Sequence, residues 1–90
     1  MFTGIIKEVG KIINISGSGK SRVLEVSCSS ILSDIKKGDS IAVNGCCLTV
    51  TGFTRNSFAA DLSETTVSTT NFANAKINDP VNLENSLIAG

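Results

Sequence analysis

Two cysteines stand side by side in Asn44-Gly45-Cys46-Cys47-Leu48-Thr49-Val50, two residues before a threonine hydroxyl. On an extended strand, neighbours point to opposite sides, so one thiol enters the core while the other faces outward or into a pocket, and Thr49 shares the side of Cys47. A thiol and a hydroxyl on one rim make a polar binding edge. The plainer reading is that both cysteines are small buried hydrophobes. A second candidate is Asp61-Leu62-Ser63-Glu64-Thr65-Thr66, where two carboxylates and three hydroxyls crowd together. Ser followed by acidic residues also describes a capped helix start, whose exposed backbone N–H groups can hydrogen-bond a polyol or a polar heterocycle. Metal binding has little support, because two thiols adjacent on a strand cannot converge on one ion as those of a CxxC turn do.

The chain contains no His, which removes His-based triads, the usual proton shuttle near neutral pH and every His-containing zinc site. Acid or base chemistry must therefore use carboxylates, thiols, hydroxyls or the substrate itself. Eight Lys plus Arg balance eight Asp plus Glu. With no basic field to hold a phosphate backbone, nucleic acid is not an expected partner. Three cysteines, an odd number with two adjacent, are a poor disulfide framework and point to a reducing cytosol. The opening MFTGIIKEVG is interrupted too early by charge to be a signal peptide, and no stretch approaches a membrane span. A cytoplasmic chain with no membrane partner is expected. Lys36 and Lys37 read as a solvated turn.

These residues need elements to hold them, and the apolar periodicity is that of strands. Ile5 to Ile15 mixes apolar and polar residues around Gly10, which suits a long strand bent by a bulge at that glycine. Gly17 to Ser21 reads as a flexible connection, after which Leu24, Val26 and Cys28 alternate with Glu25 and Ser27 as a half-buried strand. Ile31, Leu32 and Ile35 fall at helical spacing, with Ser30 available as N-cap. Lys37-Gly38-Asp39 is a turn. Asn44-Gly45 between Ile41-Ala42-Val43 and Cys46 to Val50 is the strongest short hairpin signal available, since both turn residues tolerate positive φ. Arg55-Asn56 makes the next turn and Phe58 to Leu62 the next strand. Ser63 is placed to cap a short helix over Glu64 to Thr70, and Val81 to Leu83 supplies a last strand beginning at Pro80.

A weak internal echo links Gly38-Asp39-Ser40-Ile41-Ala42-Val43 to Asn78-Asp79-Pro80-Val81-Asn82-Leu83. Ninety residues, 41% of them apolar, make one small domain with a core of its own. The expected fold is all-β, a small closed six-stranded antiparallel barrel of Greek-key type with one or two short helices, which also removes exposed strand edges.

MFTGII at residues 1–6, NGCCLTV at 44–50 and the stretch from Asp61-Leu62 to Thr70-Asn71-Phe72, in this order and at these separations, resemble the N-terminal half of the riboflavin synthase family of lumazine-binding repeats. The resemblance covers essentially the whole chain. It implies two similar six-stranded barrels in the family, of which this chain matches the first, residues 1–90. It also implies a cofactor-free transferase in which two molecules of 6,7-dimethyl-8-ribityllumazine dismutate. A four-carbon unit passes between them, leaving riboflavin and 5-amino-6-ribitylamino-2,4(1H,3H)-pyrimidinedione.

Carried over position by position, the resemblance makes Gly4, Ile5 and Ile6 backbone and apolar contacts to the heterocycle. Cys47, Leu48 and Thr49 form the binding strand, Cys47 being the thiol that stabilises or adds to an activated lumazine, and Ser40 lines the site. Asp61, Leu62, Ser63, Glu64, Thr65 and Thr66 hold the ring edge and ribityl chain. Thr66 falls on the family's threonine of a Glu-Thr pair, whereas here Thr65 precedes it and the acid is Glu64. Cys47, Ser40 and Thr49 are the candidate catalytic groups; base and nucleophile stay open between them, water and a substrate hydroxyl. The family site lies between barrels of different subunits, so the resemblance implies a homo-oligomer, trimeric at full length, with a dimer open to an isolated barrel that is weakly active or inactive. Two other classes compete. A non-catalytic flavin or lumazine carrier would not need the reactive side chains Cys47 and Thr49. An oligonucleotide-binding barrel is disfavoured by zero net charge and four aromatics, none of them Trp or Tyr.

Overall fold

The computed structural model describes residues 8–18, 21–63 and 75–85. Alternation sets the architecture. Ile12, Leu24, Val26, Ile41, Val43, Leu48, Val50, Phe58, Ala60, Leu62, Val81 and Leu83, every second residue of their strands, all turn into one core. The strands are β1 (Glu8–Ser18), β2 (Ser21–Ser27), β3 (Ser40–Val43), β4 (Cys46–Phe53), β5 (Ser57–Ser63) and β6 (Pro80–Asn85). They close into an antiparallel barrel in the order β1-β2-β5-β4-β3-β6, with β6 returning to β1. The expected barrel and all six strands are present, several running further than the apolar pattern alone suggests.

Four local expectations change. The bulge of β1 lies between Ile12 and Asn14 rather than at Gly10. Gly10 is needed for close approach: a Cβ there would lie 2.6 Å from the Ser27 carbonyl oxygen and 2.8 Å from Leu83 Cδ1. Of the connection expected over Gly17 to Ser21, Gly17, Ser18 and Ser21 are paired in the β1–β2 ladder, and residues 19 and 20 lie outside the described residues. The predicted helical segment is a single 3-10 turn, Ser30–Asp34, with Ser29 rather than Ser30 at the N-cap and no side-chain cap bond from it. Glu8 caps it instead. Its carboxylate accepts the N–H of Ser29 at 2.7 Å, the N–H of Ile31 at 3.0 Å and the Ser29 hydroxyl at 3.1 Å. Burial alone would raise the Glu8 pKa, but these donors outweigh it and hold the carboxyl below its ordinary value. The helix expected over Glu64 to Thr70 lies outside the described residues, as do Ile5 and Ile6 of the first strand.

The internal echo is structural. Asp39 Oδ2 accepts the N–H of Lys36 at 2.9 Å, and Asp79 Oδ2 accepts that of Lys76 at 2.9 Å. Gly38 N–H donates to Val50 O and Val50 N–H to Asp39 O, while Asn78 N–H donates to Ile12 O and Ile12 N–H to Asp79 O. Gly38 and Asn78 both have positive φ, 90° and 79°. The strand order is unchanged when β1, β2 and β3 are exchanged for β4, β5 and β6, and both β1 and β4 carry a bulge one residue after the equivalent Ile12 and Val50. The barrel thus has an internal two-fold that relates Asp39 to Asp79, Ala42 to Asn82, Thr49 to Lys11 and Cys47 to Val9.

Candidate functional site

The β3–β4 hairpin carries the candidate chemistry. Asn44 and Gly45 adopt φ of 49° and 83°, the two left-handed residues a tight hairpin turn requires. Asn44 also docks the turn onto β6, its side-chain oxygen accepting the Asn82 N–H at 2.7 Å. This fixes the register: Ser40 stands opposite Thr49, Ile41 opposite Leu48, Ala42 opposite Cys47 and Val43 opposite Cys46. Directly opposed side chains start about 5 Å apart at Cβ.

Alternation divides the two cysteines as expected. Cys46 leans against the core, and burial, helped by the neighbouring Cys47, pushes its thiol pKa up. Cys47 and Thr49 are exposed on the outer face beside half-buried Ser40. Cys28 is buried elsewhere in the core, its pKa pushed up to about 12 by burial and then by the charge of Glu8. Of the three free thiols, Cys47 is the exposed one.

Asp61 lies on the outer face opposite Val23 and is exposed. Continuing the β4–β5 register one residue past Val50 and Ala60 brings Asp61 level with Thr49. Ser40, Thr49 and Asp61 therefore form a polar row across three strands, with Cys47 one step along. Leu48 and Leu62 turn into the core, 3% and 1% exposed, so only their backbones can meet a ligand on this face. Ser63 ends β5. Gly4, Ile5, Ile6, Glu64, Thr65 and Thr66 lie outside the described residues.

Two residues that the sequence does not single out adjoin this group. Ala42 pairs with Cys47 on one side and with Glu84 of β6 on the other. In the sequence both look like ordinary outward positions, and only the long-range pairing of β3 with β6 brings them beside the cysteine. Among the described residues no three His, Cys, Asp or Glu side chains could hold a metal ion, and no helix is long and apolar enough to cross a membrane.

The sequence matches the family profile "Lumazine binding domain" over residues 3–86. It is 48% identical to the riboflavin synthase of Actinobacillus pleuropneumoniae and 47% identical to that of Bacillus subtilis, in each case over 99% of this chain and 41% of the relative. The chain thus spans under half the length of these curated relatives. Among solved structures, LumP complexed with riboflavin superposes with a TM-score of 0.88 at 30% identity, over 99% of this chain and 51% of LumP. LumP complexed with 6,7-dimethyl-8-(1'-D-ribityl) lumazine gives 0.89 at 31% identity, over 100% and 50%.

Proposed function

The chain belongs to the lumazine-binding domain family, and from that premise we propose that it is the substrate-binding barrel of a riboflavin synthase. It takes 6,7-dimethyl-8-ribityllumazine on the outer face of β3 and β4 and contributes to its dismutation. The observation that carries this reading is the grouping of Ser40, Cys47, Thr49 and Asp61 on one outer face, three of them fixed by the hairpin register. Relatives with whole-chain similarity to this barrel are riboflavin synthases, and LumP binds the lumazine and riboflavin on the same fold.

The chemistry asks for little that a His-free barrel lacks. An acidic ring methyl loses a proton, a nucleophile adds to the second ring, and the two rings must be held stacked. Two bound substrates oriented against each other account for much of the acceleration. In this division of labour Cys47 supplies the thiol that adds to or stabilises the activated ring, and Ser40 and Thr49 hydrogen-bond its polar edge. Asp61, Leu62, Ser63, Glu64, Thr65 and Thr66 hold the ring edge and the ribityl chain, and Gly4, Ile5 and Ile6 supply backbone and apolar contacts to the heterocycle. No resident cofactor enters the scheme. One barrel offers one ligand face, so a complete site needs a second barrel from the same or another copy, and a homo-oligomer is the working form. A reducing, cytoplasmic setting agrees with three free thiols.

Fluorescence titration of the purified chain with riboflavin and with the lumazine, followed by assay of the lumazine complex for riboflavin, tests the reading. We expect binding of both with little turnover. Failure to bind either ligand overturns it; full turnover by Cys47→Ser in a two-barrel enzyme removes an essential thiol from the chemistry.

A further inference from the structure

Of all the asparagines in the sequence, only Asn44 is followed by glycine, and the pair forms the turn of the β3–β4 hairpin. In this dipeptide the backbone most readily attacks the preceding side chain, because a glycine has no Cβ to shield its nitrogen. Both residues are exposed to water. The Asn44 amide is nevertheless held: its Oδ1 accepts the Asn82 N–H at 2.7 Å, and the Asn44 N–H donates to Asn82 O at 2.8 Å. An oxygen bonded to β6 cannot swing its carbon over the Gly45 nitrogen. The Asn44 φ of 49° adds a second restraint. It belongs to the left-handed well, where ψ is about +47°, and a ring closed through Cβ, Cγ and the Gly45 nitrogen needs ψ to leave that well.

From this geometry we infer that Asn44 is a deamidation site gated by β6: the reaction is held off while the hairpin is docked on Asn82 and proceeds when it lifts. The inference is independent of the ligand face proposed above. In the open state the Gly45 nitrogen loses its proton to solvent and bonds to Asn44 Cγ, and the Cγ–Nδ2 bond breaks to release ammonia. Water then opens the cyclic imide. Cleavage at Cγ leaves an aspartate at position 44, and cleavage at the main-chain carbonyl leaves an isoaspartate whose chain runs through Cβ and Cγ. The balance is one water consumed and one ammonia released. The two products differ in consequence. An aspartate keeps an oxygen for the Asn82 N–H and tolerates positive φ. The isoaspartate adds a methylene to the backbone of a two-residue turn, and that turn sets the pairing of Ser40 with Thr49 and Ala42 with Cys47.

The test holds the wild-type chain at pH 8 and 37 °C, folded and in concentrated guanidinium chloride, alongside folded Asn82→Pro. Peptide mass spectrometry follows the mass gained as amide becomes acid, and chromatography separates the two products. Asn82→Pro removes the donor, and the N–H it removes is spent on Asn44. We expect Asn44 to convert roughly tenfold or more faster in the unfolded chain, because the docked turn must first open. Folded Asn82→Pro should convert about fivefold faster than wild type, as loss of one hydrogen bond requires. Isoaspartate, separated after refolding, should leave the hairpin amides unprotected from hydrogen exchange. Equal rates in the folded and unfolded chain overturn the gate. No conversion at Asn44 in the unfolded chain overturns the site. A wild-type rate in folded Asn82→Pro overturns the role of the β6 bond; if that variant does not fold, the folded and unfolded wild-type rates decide alone.

Discussion

Asp39 and Asp79 are the same residue twice: each closes a turn by accepting the N–H three residues earlier at 2.9 Å, and each is related to the other by the barrel's internal two-fold. The strands they open differ. Asp39 leads into Ser40, opposite Thr49, while Asp79 leads into Pro80, opposite Lys11. Asp39→Ala and Asp79→Ala should therefore cost similar stability, about 1 kcal/mol each for a lost turn bond, or roughly 4–8 °C in Tm. Their effects on ligand binding should part: several-fold weaker riboflavin binding for Asp39→Ala, near wild-type for Asp79→Ala. Thermal unfolding and fluorescence titration of the two variants check both halves.

Gly10 is held by sterics. A Cβ would lie 2.6 Å from Ser27 O, 2.8 Å from Leu83 Cδ1 and 2.9 Å from Val26 Cγ1. The backbone oxygen cannot swing aside as a side chain can. Gly10→Ala is expected to cost about 2 kcal/mol through forced strand displacement, within the usual range for overpacking, and adding Leu83→Ala should not restore stability because the carbonyl contact persists. Urea midpoints of the single and double variants decide this.

The sequence disclosed most of the barrel because its signals are local and two-residue periodic: Asn44-Gly45 marks the hairpin, and alternation sends Leu48 inward and Cys47 outward. The bulge at Ile13 escaped because an extra residue in a ladder leaves no compositional mark, whereas Gly10 attracts attention for a reason that proves to be packing. Glu8 looks like a surface carboxylate until the fold carries it to the backbone of Ser29 and Ile31. The site was legible only along one strand. Cys47 and Thr49 share a face by period alone, but the row that adds Ser40, Ala42 and Glu84 depends on β3 meeting β4 and β6, and no local pattern encodes the burial of Ala42.

The Glu8 cap has a pH signature. Its donors hold the folded carboxyl below the ordinary value of 4.5, so the stability it contributes is present above that value and is lost as pH falls through the lower folded value. Glu8→Gln should destabilise the chain by about 1 kcal/mol near neutral pH, toward the low end because the group is partly exposed to water. The gap between variant and wild type should close in acid, below pH 4.5. Urea denaturation across pH 3 to 7 measures it; a gap that stays constant through acid assigns the cost to packing instead.

The three thiols should react in the order their environments dictate. Cys47 is exposed, Cys46 is half-buried with a raised pKa, and Cys28 is buried with its pKa at about 12 against an ordinary 9.0. That rise alone lowers the thiolate fraction of Cys28 about a thousandfold. Limiting iodoacetamide at pH 7.5, read by peptide mass spectrometry, should label Cys47 first, Cys46 slowly and Cys28 only on unfolding. If the ligand covers the outer face of β3 and β4, saturating riboflavin slows Cys47 labelling at least tenfold and leaves Cys28 unchanged. Protection of Cys28 instead would place the ligand inside the barrel, against the outward grouping of Ser40, Cys47 and Thr49.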